Sequence, residues 1–473
     1  MTVESGSSTV RRVIQRENDG VRWELQPDFA PFLDALLKSP GQMVKESPVK
    51  QVTVHQVGEK TFYIKRYLHH AVPLRSLKFY FKATQARQEW DLAQQLEARK
   101  IPIVRHVALG ERRTWSGVQE SILVTEGFDG VEVDQVKDIA PEEVLKFVEI
   151  MHERGAMQED LHLANLLVRK NPFELRLVDL HGTRVCDALS RDERQKNLAL
   201  LRVFLPVRVS PEIEAQSREL RKRLLHERSR RCLRNNREFS AQRHGGLKWR
   251  VRLPFLNEAV LRVMEDPDGY LKTRATILKP GRTSTVGKAD GVVLKRFNLR
   301  KIQNLFKDLF RPSRARRAFH KAYHLELAGV PTARPMAMAQ RSAGGVLLRS
   351  YLLMEEIPGA KELGNWLKAG HSPDAALVRK LADTIARLHE EGFSHRDLKL
   401  SNLVLSEDEN IFVLDLDGLK FVHNVSTRRA AADLERLERS VKKDFAGADV
   451  HRRLFIRIYC QARRLGKIPR LVR

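Results

Sequence analysis

Two neighbouring stretches decide the fold of this chain: Ser394-His395-Arg396-Asp397-Leu398-Lys399-Leu400-Ser401-Asn402 and Leu414-Asp415-Leu416-Asp417-Gly418. The first has the pattern H-R-D-L-x-x-x-N, and the second places an Asp after an apolar strand, a combination typical of a catalytic loop followed by a metal-binding loop. Phosphoryl transfer from ATP needs one Asp to orient the substrate hydroxyl, and an Asn and a second Asp to hold Mg²⁺. The pattern therefore predicts a phosphotransferase that uses ATP and Mg²⁺, with Asp397 as catalytic residue and Asn402 and Asp415 as metal ligands.

The same pattern occurs a second time upstream. Asp160-Leu161-His162-Leu163-Ala164-Asn165 is followed by Leu177-Val178-Asp179-Leu180-His181, and the two catalytic aspartates stand 237 positions apart, at 160 and 397. Self-similarity at a fixed spacing indicates duplicated structural units. The predicted catalytic residue of the first copy is Asp160, and its predicted metal ligands are Asn165 and Asp179.

An apolar strand with a Lys near its end lies upstream of each loop. Phe62–Tyr67 contains Lys65, and Val292–Phe297 contains Lys295. A lysine in this place contacts the α- and β-phosphates of ATP in kinases. For either strand taken alone, a solvent-facing lysine would be the better interpretation, and it is the downstream loop that favours the phosphate role.

The domain organisation follows from the order of these motifs. Strand lysine, helix, hinge-like strand, helix, catalytic loop and metal Asp occur twice in this order, and the order resembles the protein-kinase-like fold. The chain has 473 residues, too many for one core. We predict the α+β class, with two tandem kinase-like domains that each have a small β-rich N-lobe and a helical C-lobe. The predicted bounds are 1–40 for an N-terminal extension, 41–255 for the first domain and 256–473 for the second.

The two copies differ in the helix that follows the strand lysine. A glutamate on this helix normally holds the lysine toward the phosphates. Glu89 stands thirteen residues before Pro102 and suits this role in the first copy, but Ala318 stands at the same distance before Pro331. Unless the helix register shifts, the second copy lacks the ion pair.

The nucleotide-covering loops differ as well. The second copy offers Gly281, Thr283 and Ser284 as backbone and hydroxyl contacts to the nucleotide, although not in the pattern G-x-G-x-x-G. The first copy has no glycine in 44–50, so its phosphate cradle is either weak or built from Lys45, Ser47 and Lys50. Neither copy is complete by protein-kinase rules, which leaves open whether one copy is a pseudokinase.

The composition indicates an anionic partner. The chain has 85 Lys and Arg against 59 Asp and Glu, a net charge of +26, which suits a nucleic acid, a membrane surface or an acidic substrate. Two basic-aromatic segments, 74–82 and 300–311, suit interfacial helices on anionic lipid, and packing on their own domain is the alternative. The basic run 218–231 is interpreted as a solvated helix face. Because no nucleic-acid-binding module accompanies it, a nucleic-acid partner is not expected.

Targeting signals and cysteines give little more. No stretch of about 18 apolar residues predicts a transmembrane helix, and the first residues lack a signal-peptide pattern. The widely spaced Cys186, Cys232 and Cys460 suggest neither disulfides nor zinc. We expect a cytoplasmic protein that is peripheral at the inner face of the inner membrane, while the sequence leaves the oligomeric state open.

Details of both copies resemble the bacterial lipopolysaccharide kinases that phosphorylate heptose or Kdo sugars of the inner core. The similar features are D-L-H-x-x-N at Asp160–Asn165, V-D-L-H at Val178–His181 and A-G-V-P-T at Ala328–Thr332. The resemblance implies transfer of the γ-phosphoryl group of ATP to a sugar hydroxyl of an anionic glycolipid at the membrane surface.

The resemblance also assigns roles to the motif residues. Lys65 and Lys295 would grip the phosphates, while His162 and Lys399, each two residues past a catalytic Asp, would help to neutralise the transferring group. Two other functions stay open at this point. A Ser/Thr protein kinase is favoured by H-R-D-L-K, but no A-P-E motif follows Asp415. A pseudokinase scaffold for core assembly is favoured by Ala318 and the glycine-free loop, while the intact metal ligands argue against it.

Overall fold

The protein consists of two compact units, Met1–Leu220 and Arg221–Arg473. The computed structural model describes residues 13–69, 79, 81–115, 117–281, 283–298, 312–343, 346–445 and 448–465. Each unit places an antiparallel sheet first and a mainly helical layer after it, so the predicted α+β class is confirmed. Apart from Phe79, Phe81 and Lys82, the two segments predicted as interfacial helices lie outside the described residues.

The first unit begins with a seven-stranded sheet in the order β1-β2-β6-β7-β5-β4-β3. Its strands are β1 (Ile14–Asn18), β2 (Val21–Leu25), β3 (Gln42–Ser47), β4 (Lys50–Val57), β5 (Lys60–Leu68), β6 (His106–Thr114), β7 (Gly117–Glu126), β8 (Val131–Glu132), β9 (Ala156–Gln158), β10 (Leu166–Lys170), β11 (Phe173–Leu177) and β12 (Thr183–Val185). Its helices are α1 (Leu33–Lys38), α2 (Gln85–Ala98), α3 (Pro141–Glu153), α4 (Arg191–Phe204) and α5 (Pro211–Ser229), of which α5 ends in the second unit.

The second unit repeats this architecture strand for strand, because its large sheet has the order β13-β14-β18-β19-β17-β16-β15. Its strands are β13 (Phe239–His244), β14 (Leu247–Arg252), β15 (Thr276–Lys279), β16 (Ser284–Ala289), β17 (Val292–Phe297), β18 (Pro335–Ala343), β19 (Val346–Glu355), β20 (Lys361–Glu362), β21 (Phe393–His395), β22 (Leu403–Leu405), β23 (Ile411–Val413) and β24 (Leu419–Phe421). Its helices are α6 (Glu258–Glu265), α7 (Pro267–Thr273), α8 (Arg314–Leu327), α9 (Leu363–Lys368), α10 (Ala375–Glu390), α11 (Thr427–Asp444) and α12 (Ala448–Ala462).

The sheets extend further than the predicted domain bounds allow. The hairpin β1–β2 joins the first sheet through β6, and β13–β14 joins the second through β18. Predicted domains that begin at 41 and 256 leave both hairpins on the wrong side of a boundary. The hairpins contain no catalytic motif. Their structural signal is an alternation of buried residues that centres on Trp23 in one and Trp249 in the other.

Strand pairing and helix caps place the site residues. The lysine strands β5 and β17 lie in the interior of their sheets, so they are hydrogen-bonded on both sides. The helix that carries Glu89 or Ala318, α2 or α8, begins at a hydroxyl cap, Thr84 or Ser313, which satisfies a free backbone N–H. Among the described residues, no helix is long and apolar enough to cross a membrane.

Candidate active sites

The strand lysine of the first repeat makes the predicted ion pair. Lys65 Nζ lies 2.6 Å from Glu89 Oε1, and the two side chains are only 13% and 7% exposed. β5 fixes the lysine opposite Leu123 of β7, while α2 presents the glutamate on its buried face. The pair therefore connects the helix to the sheet.

Glu89 is held by more than the lysine. The Tyr67 hydroxyl donates to Glu89 Oε2 at 3.5 Å, and His106 Nε2 lies 3.4 Å from Oε1. Burial alone would raise the pKa of Glu89, but the Lys65 ammonium and the His106 ring outweigh it and lower the pKa to about 2. The carboxylate therefore stays ionised near neutral pH.

The first catalytic loop brings its three predicted acidic and amide groups to one place. Asn165 Nδ2 donates to the Asp160 carbonyl oxygen at 3.1 Å, and the Val178 N–H donates to the Asn165 carbonyl at 2.9 Å, next to Asp179. Gln158, which replaces the usual His, is buried and donates to the Asp179 carbonyl at 2.8 Å. His162 precedes the short 3₁₀ turn Leu163–Asn165 and is half-buried.

A cavity of about 460 Å³ lies beside this loop, and its lining includes Ser47, Lys50, Glu89, Asp179 and His181. Of the loop residues considered from the sequence, Ser47 and Lys50 therefore face the site. The third, Lys45, is exposed on β3. Burial lowers the pKa of Lys50, and the nearby Lys65 ammonium lowers it further, while Asp179 and Glu89 act in the opposite direction.

The strand lysine of the second repeat has a different partner. Lys295 Nζ lies 2.9 Å from Asp415 Oδ1, the predicted metal ligand. Ala318 stands at the helix position of the missing glutamate and is 4% exposed in an apolar cluster with Phe297 and Phe319. Burial would raise the pKa of Asp415, but the Lys295 and Lys279 ammonium groups lower it overall.

The surroundings of Glu89 change together with it. The two sheets have matching registers, since Lys65 pairs with Leu123 and Lys295 with Leu352. The matching positions in the second repeat hold apolar residues or proline throughout. Glu89, Tyr67 and His106 correspond to Ala318, Phe297 and Pro335.

The second catalytic loop brings its predicted residues together. Lys399 Nζ lies 2.7 Å from Asp397 Oδ2, and both side chains are accessible to solvent. Asn402 Nδ2 donates to the Asp397 carbonyl at 2.8 Å and lies 3.3 Å from its Oδ2. The Leu414 N–H donates to the Asn402 carbonyl at 2.8 Å, which places Asp415 beside the loop.

The sequence analysis missed one buried residue that supports this loop. Asp433 on α11 accepts hydrogen bonds from the His395 N–H at 2.9 Å and from Ser394 Oγ at 2.8 Å. Its other oxygen accepts from Arg436 at 2.9 Å, and the side chain is 2% exposed. In the first repeat Asn197 takes this place and donates to the Gln158 carbonyl at 2.7 Å. Both residues follow their catalytic Asp at nearly equal distance, the one signal in the sequence that could have revealed them.

The nucleotide loop of the second repeat lies between β15 and β16. A Cβ on Gly281 would stand 2.5 Å from the Ser284 carbonyl oxygen, so only glycine fits. Asn298 Nδ2 donates to the Gly281 carbonyl at 3.0 Å. Ser284 is buried at the start of β16, and Thr283 is exposed. The loop thus keeps the close backbone approach that a phosphate cradle needs.

Both sites have the donor chemistry for Mg²⁺ and ATP. Mg²⁺ prefers oxygen ligands and is usually bound by one or two carboxylates, with waters and substrate phosphates completing its shell. In each loop the asparagine amide nitrogen donates to the backbone carbonyl of the catalytic Asp, and the backbone carbonyl of the asparagine accepts from the residue just before the metal Asp. Among the described residues, no group of three or more His, Cys, Asp or Glu could hold a metal ion. The asparagine–aspartate pairs suit a metal whose shell is completed by waters and phosphate oxygens.

Comparison with known proteins gives the family. The family model of the lipopolysaccharide kinase (Kdo/WaaP) family matches twice, at residues 34–223 and at 274–459. The chain belongs to the lipopolysaccharide kinase (Kdo/WaaP) family. The resemblance inferred from the motifs is thereby confirmed, and so is the duplication, since each repeat matches the Kdo/WaaP model separately.

Two curated relatives are named 3-deoxy-D-manno-octulosonic acid kinase. The one from Vibrio parahaemolyticus is 30% identical over 26% of this chain and 50% of its own length, and the one from Vibrio vulnificus (strain YJ016) is 32% identical over 28% and 55%. The chain thus spans about half the length of the curated relatives it matches. A solved structure titled "WaaP in complex with acyl carrier protein" is 22% identical, covers 43% of this chain and 89% of that chain, and has a TM-score of 0.30.

Proposed function

We propose that this Kdo/WaaP family chain is an ATP-dependent kinase that phosphorylates a sugar hydroxyl of the lipopolysaccharide inner core. The observation that supports it most is the second catalytic loop, where Asp397, Lys399, Asn402 and Asp415 lie together beside the strand lysine. Kdo is the sugar we favour over heptose, because the curated relatives are named as Kdo kinases.

In the proposed mechanism Asp397 accepts the proton of the attacking sugar hydroxyl. Its carboxylate is solvent-accessible, so an acceptor sugar can reach it, and Lys399 supplies a positive charge beside the transferring group. Asn402 and Asp415 would hold Mg²⁺, which when bound neutralises negative charge on the phosphates. Lys295, next to Asp415, places a further cation where the phosphates would bind.

The first repeat has the parts for the same roles with two replacements. Lys65 is held by Glu89, and Asp160, Asn165 and Asp179 would serve as catalytic residue and metal ligands. We assign to Lys50 the phosphate contact that glycine amides make in other kinases, because it faces the cavity that Asp179 also lines. The second replacement is His162, which stands where the second repeat has Lys399. Because the second repeat keeps the lysine beside the transferring group, we assign phosphoryl transfer to it.

The charge of the chain supports an anionic glycolipid as substrate. With a net charge of +26, the protein is attracted to acidic lipid surfaces, where each nearby Lys or Arg contributes about 1 kcal/mol. The proposal includes the inner face of the inner membrane as the place where the chain meets its substrate.

The test uses the full-length chain, labelled ATP, Mg²⁺ and Kdo-containing lipid in vesicles. We expect Asp397→Ala to lower phosphate transfer by about a hundredfold to ten-thousandfold, the usual effect of losing a general base. Asp408→Ala, which removes an exposed aspartate nearby, serves as the control.

Each other outcome has a defined meaning. Unchanged transfer by the double variant Asp160→Ala, Asp397→Ala would refute the enzymatic function and favour a scaffold. A loss with Asp160→Ala alone would move the chemistry to the first repeat. Transfer to a protein such as myelin basic protein, with none to the sugar lipid, would favour the protein-kinase alternative.

A further inference from the structure

Arg314, the first residue of α8, touches three parts of the second cleft. Its Nε lies 3.1 Å from Asp417 Oδ2, and its Nη2 pairs with the same oxygen. Its Nη1 donates to the Thr283 carbonyl in the nucleotide loop at 3.2 Å. The guanidinium also lies over the Phe297 ring, 4.8 Å from its centre, at the end of the lysine strand.

Lys321, two turns further along α8, binds the same segment. Its Nζ donates to the Leu416 carbonyl at 2.8 Å and lies 3.4 Å from the Asp417 carbonyl. Residues seven apart lie on one face of a helix. One face of α8 is therefore fastened at two points to the residues that directly follow Asp415.

The first repeat cannot make these contacts. At the positions of Arg314, Lys321 and Asp417 it has Gln85, Leu92 and His181, all of which line the open cavity beside Asp179. The converse also holds, because the second repeat has Ala318 in place of Glu89. Each repeat thus has one means of fastening its helix to the site and lacks the other.

We propose that Arg314 and Lys321 are positioning residues that hold the Asp415–Asp417 segment against α8 and so set the metal ligand Asp415, in place of the missing lysine–glutamate pair. The inference rests on the proposed nucleotide and metal binding of the second cleft. With the helix fastened in this way, Lys295 needs no glutamate and stays beside Asp415. Residues that orient metal ligands are typically worth about tenfold to a hundredfold in metal affinity.

The first measurement is hydrogen exchange of the full-length chain without nucleotide. The variant has the first repeat's own residues, Arg314→Gln with Lys321→Leu. We expect faster exchange of the amides in 414–419 than in the parent chain. The control is Arg316→Gln, which removes an exposed charge from the same helix and should leave this segment unchanged. Unchanged exchange in the double variant would overturn the proposal whatever the function of the cleft.

The second measurement is the affinity for a non-hydrolysable ATP analogue, in a background of Asp179→Ala that disables the first cleft. With Mg²⁺ present we expect the double variant to bind about tenfold more weakly or worse, while metal-free binding changes by less than about twofold. Lys321→Arg alone keeps the charge and should bind like the parent.

The outcomes separate the inference from the proposed function. An equal loss with and without Mg²⁺, together with a lower melting temperature, would mean a merely structural role and would overturn the inference. If the Asp179→Ala parent binds no Mg²⁺–nucleotide at all, the proposed function of the second cleft fails, while the hydrogen exchange of 414–419 still decides whether Arg314 and Lys321 hold that segment.

Discussion

The two clefts keep the same lysine but give it different partners. Lys65 is paired with a helix carboxylate, whereas Lys295 is paired with the metal-binding Asp415. The difference is not a single substitution. The second repeat lacks the tyrosine and the histidine that contact Glu89, as well as the glutamate itself. A buried charged group is stable only where hydrogen-bond or charge partners surround it. The comparison teaches that the glutamate and its partners are present together or absent together.

The buried residues that support the two catalytic loops, Asp433 and Asn197, also differ between the repeats. In the second repeat the Asp433 carboxylate accepts from backbone and hydroxyl groups of the loop, while in the first repeat the Asn197 amide donates to a loop carbonyl. A carboxylate that accepts several hydrogen bonds in a buried place contributes more than a neutral amide does. The second loop is therefore expected to be the more firmly held.

The largest expected effect tests this difference. Asp433→Ala should destabilise the second unit by about 3–5 kcal/mol, because it leaves the buried His395 N–H and Ser394 hydroxyl without their acceptor. Asn197→Ala should cost the first unit about 1–3 kcal/mol. Hydrogen exchange in increasing urea measures each unit separately in the full chain. Equal costs in the two units would contradict the comparison.

The next effect concerns the ion pair of the first cleft. Glu89→Gln should destabilise the first unit by about 1.5–3 kcal/mol, since it replaces a hydrogen bond between two charged groups. The exposed Asp91→Asn on the same helix is the control. Because the pKa of Glu89 is lowered from 4.5 to about 2, its ion pair stabilises the fold above pH 4.5 and is lost as the pH falls toward 2. Acid titration followed by circular dichroism should show a smaller loss in this range for Glu89→Gln.

A smaller effect is expected at the glycine-free loop. Lys50→Met should weaken nucleotide binding in the first cleft by about tenfold, or 1.4 kcal/mol, if its ammonium contacts a phosphate. Lys45→Met removes an exposed lysine from the preceding strand and should bind as the parent does. Calorimetry on the chain with Asp415→Ala isolates the first cleft. Equal affinity in both lysine variants would remove Lys50 from the site.

The smallest effect distinguishes the two helices by their response to acid. α8 has His320 and His324 where α2 has Asp91 and Gln95. Burial, together with the neighbouring His226, His320 and His423, lowers the pKa of His324 from 6.5 to about 3.

A folded-state pKa below the unfolded one means that stability is lost as the pH falls below 6.5. The His324 ring packs against Phe393 and Phe421. His324→Phe has no imidazole to protonate, so it should lose about 1 kcal/mol less folding stability than the parent when the pH falls from 7.5 to 6. Urea unfolding of the second unit at both pH values measures it. A parallel loss in both proteins would exclude His324 as the cause.

The sequence located the two catalytic loops better than the residues that support them. The loops around Asp160 and Asp397 were readable because phosphoryl transfer requires fixed residue types at fixed spacing. The absence of a partner at Ala318 was readable from the repeat for the same reason. The role of Asp433 was not, because one acidic residue in a charged helix has no distinguishing pattern until the helix is placed under the loop.

The contacts of α8 could not have been foreseen either. Arg314 and Lys321 lie in a strongly basic stretch, where each cation resembles its neighbours. Only the three-dimensional arrangement separates the two that reach Asp417 and Leu416 from those that face solvent. The Lys295–Asp415 bond is also a matter of geometry, since both residues were predicted but their direct contact was not.

The hairpins at the start of each sheet determine where the chain can be cut. The family model begins at 34 and 274, after β1–β2 and β13–β14. A fragment that begins at 34 or 274 would lack β2 or β14, the strand that is hydrogen-bonded to β6 or β18. It would also uncover the apolar faces that Trp23 and Trp249 fill. Such a bare strand edge invites pairing between molecules, so a fragment meant to stay monomeric needs its hairpin as much as its catalytic loop.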